Sequence, residues 1–376
     1  MTKPLYFDCH ATTPVAAAVV QAMAPYWSEC FGNPAGASVW GWEAEAAVEQ
    51  ARAAVAAAIG ARPSEIIFTS GATEANNLAI KGVAEAGLAR GRHLVTVTTE
   101  HSAVLAPCAY LERLGFTVDY LPVDGEGQID LTQLAAVLRP DTVLVSIMAA
   151  NNEIGVLHPL AEIGALCRER GIWFHTDAAQ AIGKISLSVE TLPIDLLSLT
   201  AHKCYGPKGI GALYVRTGTP LASQLHGGGQ EHDRRSGTLN VPLIVGMAQA
   251  LTLAIADLPH ESPRLATLRD RLWAQLTAAL PDLVLNGSGT NRLPHNLNFS
   301  VPGLNGNALV AALRPYLAVS SGSACAAGRP SHVLQALGRS PALANASLRF
   351  GLGKFHQADD IDRAAAVVID AVQKLR

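Results

Sequence analysis

The stretch that decides the fold is Leu196-Leu197-Ser198-Leu199-Thr200-Ala201-His202-Lys203. Its first part has the composition of a short buried β-strand, and the polar residues follow directly. An earlier run of the same kind, Phe174-His175-Thr176-Asp177, ends on a carboxylate. A strand-end carboxylate followed by a strand-end lysine indicates a chemical site at one edge of a sheet.

Short β-rich runs alternate with longer helical patterns through the first two thirds of the chain. The alternation predicts an α/β fold with a mainly parallel, seven-stranded sheet that helices cover on both faces. The predicted strands are 66–69, 94–98, 117–121, 142–148, 172–176, 196–200 and 211–215. The predicted helices between them are 43–59, 74–89, 103–114, 131–138 and 160–170.

A second region begins near Pro259 with a helical pattern over residues 264–280. Strand-like runs at 297–301 and 318–321 and helices at 307–313 and 359–375 follow, which indicates a smaller α+β domain. We expect the large domain to span residues 13–258. The small domain would combine residues 1–12 with residues 259–376 and carry the loop around Cys325.

The composition narrows the class of protein. With 49% apolar and 16% charged residues, the chain of 376 residues is unlike a disordered protein. The net charge of -3 gives no general attraction to nucleic acid or to an anionic membrane. We see no apolar run of about 20 residues and no secretory signal, so we expect a cytoplasmic protein. The six cysteines form no CxxC pair and show no zinc spacing, so we expect no metal site.

Lys203 and Asp177 together are what a pyridoxal phosphate enzyme requires. The lysine forms a Schiff base with the cofactor, and the carboxylate keeps the pyridine nitrogen protonated so that the ring accepts electrons. Lys208, in a Gly/Pro turn, is the competing lysine, but Lys203 abuts an apolar strand and is the better candidate. Asp177 has a simpler alternative role as a helix cap.

The segment Thr69-Ser70-Gly71-Ala72-Thr73-Glu74 joins a predicted strand to a predicted helix. Gly71 and Ala72 are small enough for backbone N–H groups to approach an anion, and we expect Thr73 to cap the helix and bond a phosphate oxygen. The simpler alternative is a helix cap without a ligand. Because Asp177 and Lys203 follow downstream, we favour phosphate binding.

Other polar residues also follow predicted strands. We expect His101 to stack on the pyridine ring and move protons, since its pKa lies near neutrality. Asn152 and Gln180 are expected to bond the phenolic oxygen of the cofactor, and His202 its phosphate. A loop histidine at the surface is the alternative for His101.

Two residues near the C-terminus indicate the substrate. Cys325 lies in Ser320-Ser321-Gly322-Ser323-Ala324-Cys325-Ala326-Ala327-Gly328, whose small residues suit a mobile loop better than a packed core. Arg349, between apolar neighbours, is suited to grip the carboxylate of an amino acid through two parallel hydrogen bonds. Together they indicate sulfur chemistry on an amino acid.

These residues form a pattern that resembles one family, the cysteine desulfurases of the nitrogen-fixation and iron–sulfur-assembly branch, within the fold-type I pyridoxal phosphate enzymes. The resemblance runs from about residue 5 to the C-terminus. It is carried by Tyr6–Pro14, Phe31–Pro34, Thr69–Asn77, Asn151–Gly155, His175–Gln180, His202–Gly209, Arg235–Thr238 and Ser321–Cys325.

The resemblance implies a homodimer in which Thr238 reaches the cofactor phosphate of the other subunit. It also implies that Cys325 carries the persulfide, that Thr200 belongs to the cofactor site and that Asn33 belongs to the substrate site. The other implied cofactor residues are Ala72, Thr73, His101, Asn152, Asp177, Gln180, His202 and Lys203, with Arg349 for the substrate.

We therefore expect conversion of L-cysteine to L-alanine, with transfer of the terminal sulfur from Cys325 to an acceptor protein in iron–sulfur cluster assembly or thiolation. We expect no direct contact with nucleic acid or membrane. Three alternatives stay open at this point: a selenocysteine lyase, a transaminase, and an inactive docking protein on the same fold.

Overall fold

The computed structural model describes residues 3–321 and 330–376. Its strands are β1 (Leu5–Tyr6), β2 (Ile66–Thr69), β3 (His93–Val97), β4 (Thr117–Leu121), β5 (Thr142–Ser146), β6 (Trp173–Asp177), β7 (Leu196–Thr200), β8 (Gly211–Val215), β9 (Val284–Leu285), β10 (Asn296–Ser300), β11 (Leu317–Ala318) and β12 (Ser347–Gly351).

The helices cover this framework. They are α1 (Ala17–Met23), α2 (Pro25–Ser28), α3 (Val39–Ala58), α4 (Ala72–Ala86), α5 (Ser102–Glu112), α6 (Leu131–Val137), α7 (Leu160–Glu169), α8 (Val241–Ala279), α9 (Gly306–Leu313), α10 (His332–Ala336), α11 (Pro341–Asn345) and α12 (Ala358–Leu375). A short turn at Gln230–Asp233, in which Glu231, His232 and Asp233 have positive φ values, precedes α8.

The central sheet has the order β2-β8-β7-β6-β5-β3-β4 within the described residues. Neighbours from β7 through β4 pair in parallel, and β8 runs antiparallel to both β7 and β2. The predicted α/β class with a mainly parallel sheet is therefore confirmed. Strands β2, β3, β5, β7 and β8 are buried along their whole length, which explains their continuous apolar sequences.

A smaller antiparallel sheet, β12-β10-β9, lies in the C-terminal part of the chain. Its own core includes Phe7, Phe299 and Phe350, and residues of α8, α9 and α12 pack into it. Strand β1 pairs in parallel with β11, which joins the N-terminus to this region. The division of the chain into domains at residue 258 stays a prediction.

Helix α8 corrects the sequence analysis. The helix predicted to begin at residue 264 begins at Val241 and continues through Pro259 and Pro263. Both prolines lie on the exposed side of the helix, so water can bond the carbonyl groups that lose their partners. By length and composition alone α8 is long and apolar enough to cross a membrane, and 44% of its most apolar stretch of 18 residues is buried inside the fold.

Candidate active site

The carboxyl ends of β2, β3, β5, β6 and β7 lie at one edge of the sheet because these strands share one direction. The segments that follow them, with residues of the C-terminal region, enclose a cavity of ≈ 640 Å³. Predicted residues that line it are Ala72, Thr73, His101, Asn152, Asp177, Gln180, Thr200, His202, Lys203 and Arg349. The structure therefore brings these ten residues to one place, while their individual roles stay predictions.

One end of the cavity is a turn between β2 and α4. Gly71 precedes α4 with φ 154°, a conformation that side chains rarely adopt. A Cβ atom on Gly211, in the neighbouring strand β8, would lie 2.7 Å from the backbone of Gly71. The first N–H groups of a helix have no partner within it, and together with the helix dipole they attract anions. This turn fits a phosphate group.

Thr73 does not cap α4, and this part of the sequence prediction is wrong. The helix begins at Ala72, so Thr73 already lies within its first turn, and Gly71 is the N-cap residue. Glycine permits the early start because it readily adopts the φ of 154° found at Gly71. Since no side chain caps this helix, its first N–H groups stay available to a ligand.

The same turn contains an ion pair that the sequence analysis missed. The carboxylate of Glu74 accepts hydrogen bonds from the Ser70 backbone N–H at 2.7 Å and from Arg235 Nε at 2.7 Å. Burial alone would raise the pKa of Glu74, but the bonds from Arg235 and Ser70 outweigh it and hold the pKa below its ordinary value. Glu74 is thus a carboxylate beside the turn. Its position in the first turn of a helix was the available signal.

Asp177 ends β6 inside the cavity and is 7% exposed. Its Oδ1 accepts the Ala179 backbone N–H at 2.9 Å, and its Oδ2 accepts Asn76 Nδ2 at 2.7 Å. The two alternatives for Asp177 are thus compatible, because the carboxylate caps the following turn and still faces the cavity. The sequence analysis missed Asn76, a fully buried amide on the inner face of α4.

His101 and Glu100 lie after β3. His101 Nδ1 accepts the Ala103 backbone N–H at 3.1 Å and so caps α5. Burial lowers the pKa of His101, which favours the neutral ring, with its proton on Nε2 because Nδ1 is an acceptor. Glu100 is fully buried, and burial raises its pKa well above the ordinary value. Its Oε1 accepts the Met148 backbone N–H at 2.6 Å.

His202 and Lys203 follow β7. Burial, with Lys203 and Lys208 nearby, lowers the pKa of His202 to about 4. His202 Nδ1 lies 3.2 Å from Thr12 Oγ1. Lys203 is half-buried and lines the cavity, whereas Lys208, although at its rim, is exposed. This difference supports the choice of Lys203 over Lys208.

Asn152 and Gln180 differ in how their amides are used. Gln180 Oε1 lies 3.0 Å from His10 Nδ1, and Gln180 Nε2 donates to the His10 backbone carbonyl at 3.1 Å. Asn152 Oδ1 is buried and has no hydrogen-bond partner within the described part of the chain. An unsatisfied buried amide that lines a cavity indicates a missing polar ligand.

Arg349 lies in the middle of β12, a strand that the sequence analysis did not predict. Its Nη1 donates to the Asn152 carbonyl at 2.8 Å, and its Nη2 donates to Asp8 Oδ1 at 2.9 Å and to Ser320 Oγ at 3.1 Å. Arg349 Nε is buried and has no partner among residues 3–321 and 330–376. Asp8, which also lines the cavity, was missed as the partner of Arg349.

Three predicted residues are not part of this cavity as described. Asn33 and Thr238 are exposed and do not line it. Cys325 lies outside the described residues. Cys9, Cys108, Cys167 and Cys204 are buried, and burial raises their pKa values to about 12, 12, 12 and 11 respectively. No group of three or more metal-binding side chains occurs in the described ranges.

The residues of the cavity fit pyridoxal phosphate. An uncapped helix start suits the phosphate, a fixed carboxylate suits the pyridine nitrogen, and a half-buried lysine suits the aldehyde. The unsatisfied amide of Asn152 adds a polar contact for the cofactor or its substrate.

Three comparisons agree with this chemistry. The sequence matches the family described as "Aminotransferase class-V" over residues 5–364. It is 51% identical to "Cysteine desulfurase IscS" of Methylococcus capsulatus, with 100% of this chain and 94% of that protein covered. The fold is similar to a solved "NIFS-LIKE PROTEIN", with a TM-score of 0.92, 38% identity, and 99% of this chain and 100% of that chain covered. It is also similar to "SspA in complex with cysteine", with a TM-score of 0.82, 41% identity, and 93% and 99% covered.

Proposed function

This chain belongs to the class-V aminotransferase family and, within it, to the cysteine desulfurases, and from this premise we propose how its residues perform the reaction. The proposed reaction converts L-cysteine to L-alanine with pyridoxal 5'-phosphate as cofactor. The sulfur passes to Cys325 as a persulfide and then to an acceptor protein.

One observation carries the proposal: a single cavity is lined by Lys203, Asp177 and Arg349. These three supply an amine for the cofactor, a carboxylate for its ring nitrogen and a guanidinium for the substrate carboxylate. Asp177 ends β6, Lys203 follows β7 and Arg349 lies in β12, so only the folded chain brings them together.

Pyridoxal phosphate, when bound, supplies an electron sink for the substrate Cα. Ala72, Thr73 and His202 would hold its phosphate, with Thr200 beside them. Before the cofactor binds, burial and the two nearby lysines hold the His202 pKa at about 4, so the ring that would meet the phosphate is neutral in that state.

Asp177 is held in place by Asn76 and by the Ala179 N–H, so its carboxylate is ready to pair with the pyridine nitrogen. Asn152 and Gln180 would address the phenolic oxygen, and His101 would stack on the ring. Burial lowers the His101 pKa and so favours the neutral ring, whose basic nitrogen is Nδ1. To take up the proton of the substrate thiol there, His101 would exchange its bond to the Ala103 N–H for that proton.

Arg349 would bind the substrate carboxylate, and Asn33 belongs to the same proposed site. The buried Nε of Arg349 is available for this contact, and Asp8 and the Asn152 carbonyl fix the rest of the guanidinium. The Lys203 amine would then remove the Cα proton.

The sulfur step is a nucleophilic displacement at sulfur. The Cys325 thiolate forms an S–S bond with the substrate sulfur, and the C–S bond breaks with its electron pair moving to Cβ. Cβ takes up a proton, and alanine is released. The persulfide keeps the sulfur in a transferable form for an acceptor in iron–sulfur assembly or thiolation.

We propose that the protein is a homodimer in which Thr238 reaches the partner's cofactor phosphate. We also propose that it works in the cytoplasm. The exposed position of Thr238 supports a contact outside its own cavity.

The test is to incubate the purified holoprotein with L-cysteine, measure alanine and map persulfide by mass spectrometry. Cys325→Ser should abolish both persulfide and sulfur transfer, and Lys203→Ala should abolish alanine formation. Cys30→Ser is the matched control because Cys30 is a half-buried free cysteine that does not line the cavity. Measuring the turnover of selenocysteine in parallel distinguishes a selenocysteine lyase from a cysteine desulfurase. Alanine formation that survives Lys203→Ala at the parent rate would overturn the proposal.

A further inference from the structure

We infer that Arg235 is a positioning residue for the cofactor phosphate of its own subunit, and that Glu231 fixes the chain segment that presents it. This inference deepens the proposed function and rests on it. Neither residue lines the cavity, so neither follows from the predicted site.

A buried ion pair anchors the segment 231–235 to strand β2, which leads into the turn between β2 and α4. Glu231 accepts Arg52 Nη1 and Nη2, each at 2.8 Å, and the Phe68 backbone N–H at 2.7 Å. The Glu231 side chain is 0% exposed and that of Arg52 is 3% exposed. Phe68 belongs to β2, which leads directly into Ser70, so this anchor holds the strand from which the turn begins.

Three consecutive residues of the segment have left-handed backbone conformations. Glu231, His232 and Asp233 have φ values of 51°, 57° and 62°. None is a glycine, so the conformation is strained and persists only where surrounding contacts impose it. The Glu231 anchor is such a contact. Two residues after Asp233, Arg235 meets Glu74 at the turn.

The second attachment is at the turn itself. Arg235 Nε and Nη2 donate to Glu74 Oε1 and Oε2 at 2.7 and 3.3 Å, and Glu74 Oε2 also accepts the Ser70 N–H. The pair is mostly buried, with side-chain exposures of 17% and 24%. Glu74 thus shapes the turn by tying its first residue to α4.

The negative charge of Glu74 would weaken phosphate binding, and Arg235 offsets that charge. Glu74 lines the cavity beside Ala72 and Thr73, and its carboxylate would repel a phosphate dianion. The guanidinium of Arg235 neutralises this charge without entering the cavity. Arg235 therefore lets the turn use a carboxylate for its shape and still bind phosphate.

The experiment compares two probes, pyridoxal 5'-phosphate and pyridoxal, which lacks the phosphate. Apoprotein is titrated with each, and binding is followed by absorbance and by tryptophan fluorescence. Arg235→Gln should weaken pyridoxal phosphate binding about 10-fold or more, as expected for an uncompensated charge near the phosphate. Pyridoxal binding should stay within about twofold, since Arg235 shares no partner with the ring contacts.

The double variant Glu74→Gln/Arg235→Gln decides the cause. Glutamine can still accept the Ser70 N–H, but it carries no charge, so most of the pyridoxal phosphate affinity should return. Glu231→Gln should weaken pyridoxal phosphate binding selectively, because Arg235 is then presented less firmly. Arg264→Gln is the matched control, since Arg264 forms a similar two-bond pair with Glu261 at 2.7 and 2.9 Å and neither residue lines this cavity.

Equal loss of affinity for both probes in Arg235→Gln, or no recovery in the double variant, would overturn the inference. No recovery would show that the substitution Arg235→Gln does not act through the charge of Glu74, and a displaced Thr238 would then be the cause. A parent protein that binds pyridoxal phosphate and forms no alanine from cysteine counts against the proposed function alone, since the two-probe comparison still decides the role of Arg235.

Discussion

Replacement of Arg52 by methionine tests how far one buried ion pair supports the strained segment before α8. Methionine keeps the length and apolar character of the side chain. It removes the charge, both hydrogen bonds to Glu231 and those to Glu49 and the Ile66 carbonyl. Of its partners in the described part of the chain, the carboxylate of Glu231 would then keep only the Phe68 N–H, in a position that water does not reach.

The expected size of the effect follows from two opposing contributions. An uncompensated buried charge destabilises a protein by about 3–5 kcal/mol. Each left-handed residue stores about 1–2 kcal/mol of backbone strain. Three such residues, Glu231 to Asp233, are held by this anchor, so the freed segment can rearrange and recover part of that strain. We therefore expect a net loss of about 2–3 kcal/mol in the free energy of unfolding.

The measurement is urea unfolding of the apoprotein at one fixed protein concentration, followed by circular dichroism, because cofactor and subunit association would both change the apparent stability. Arg271→Met is the control. Arg271 pairs with Asp362 at 2.7 Å, but the side chains are 46% and 40% exposed, so we expect a much smaller loss than for Arg52→Met. If the two variants lost the same stability, the buried pair would not support the segment and the reasoning would be wrong.

Three further predictions concern the site and its surroundings. Asn76→Leu removes the 2.7 Å donor to Asp177 and should weaken pyridoxal phosphate binding by about 5- to 100-fold, as measured by equilibrium dialysis; unchanged binding would show that Asp177 does not need this donor. Arg349→Gln should lower kcat/KM for L-cysteine by about 10- to 150-fold with cofactor affinity preserved. If the variant lost affinity for the cofactor instead, the assignment of Arg349 to the substrate carboxylate would be wrong. His158 is fully buried, and burial lowers its pKa to about 4, so the folded state disfavours its charged form. Its contribution to stability is complete above the ordinary value of 6.5 and is lost as pH falls toward about 4, and His158→Leu should flatten the fall in urea midpoint between pH 6.5 and 4.5.

The large sheet was predictable from sequence to within two residues at every strand. Strands such as β5 and β7 are buried on both faces, so their sequences are continuous apolar runs that stand out from the amphipathic helices. The site at the carboxyl edge followed, because polar residues directly after such runs meet wherever the strands are parallel.

What sequence reasoning missed depends on contacts between distant residues. β12 has an arginine at its centre and lacks the pattern of an apolar strand, but pairing with β10 imposes the strand conformation. The partners Asp8–Arg349 and Glu74–Arg235 are 341 and 161 residues apart along the chain, and no local pattern specifies them. The sequence predicts too short a helix in place of α8, because proline usually ends a helix, whereas the exposed side of α8 tolerates two prolines.

Helix α8 has a mechanical consequence. Its 39 residues form a rod of about 58 Å, which starts just beyond the Arg235–Thr238 segment and ends in the core that contains β12. Over this length, even a small bend at one point would displace the far end of the helix by several ångströms. Pro259 and Pro263 are the points of least bending resistance along it. We therefore expect a tilt of the C-terminal core against the sheet to bend α8 at these two residues, because its first turns are packed against α1 and α3.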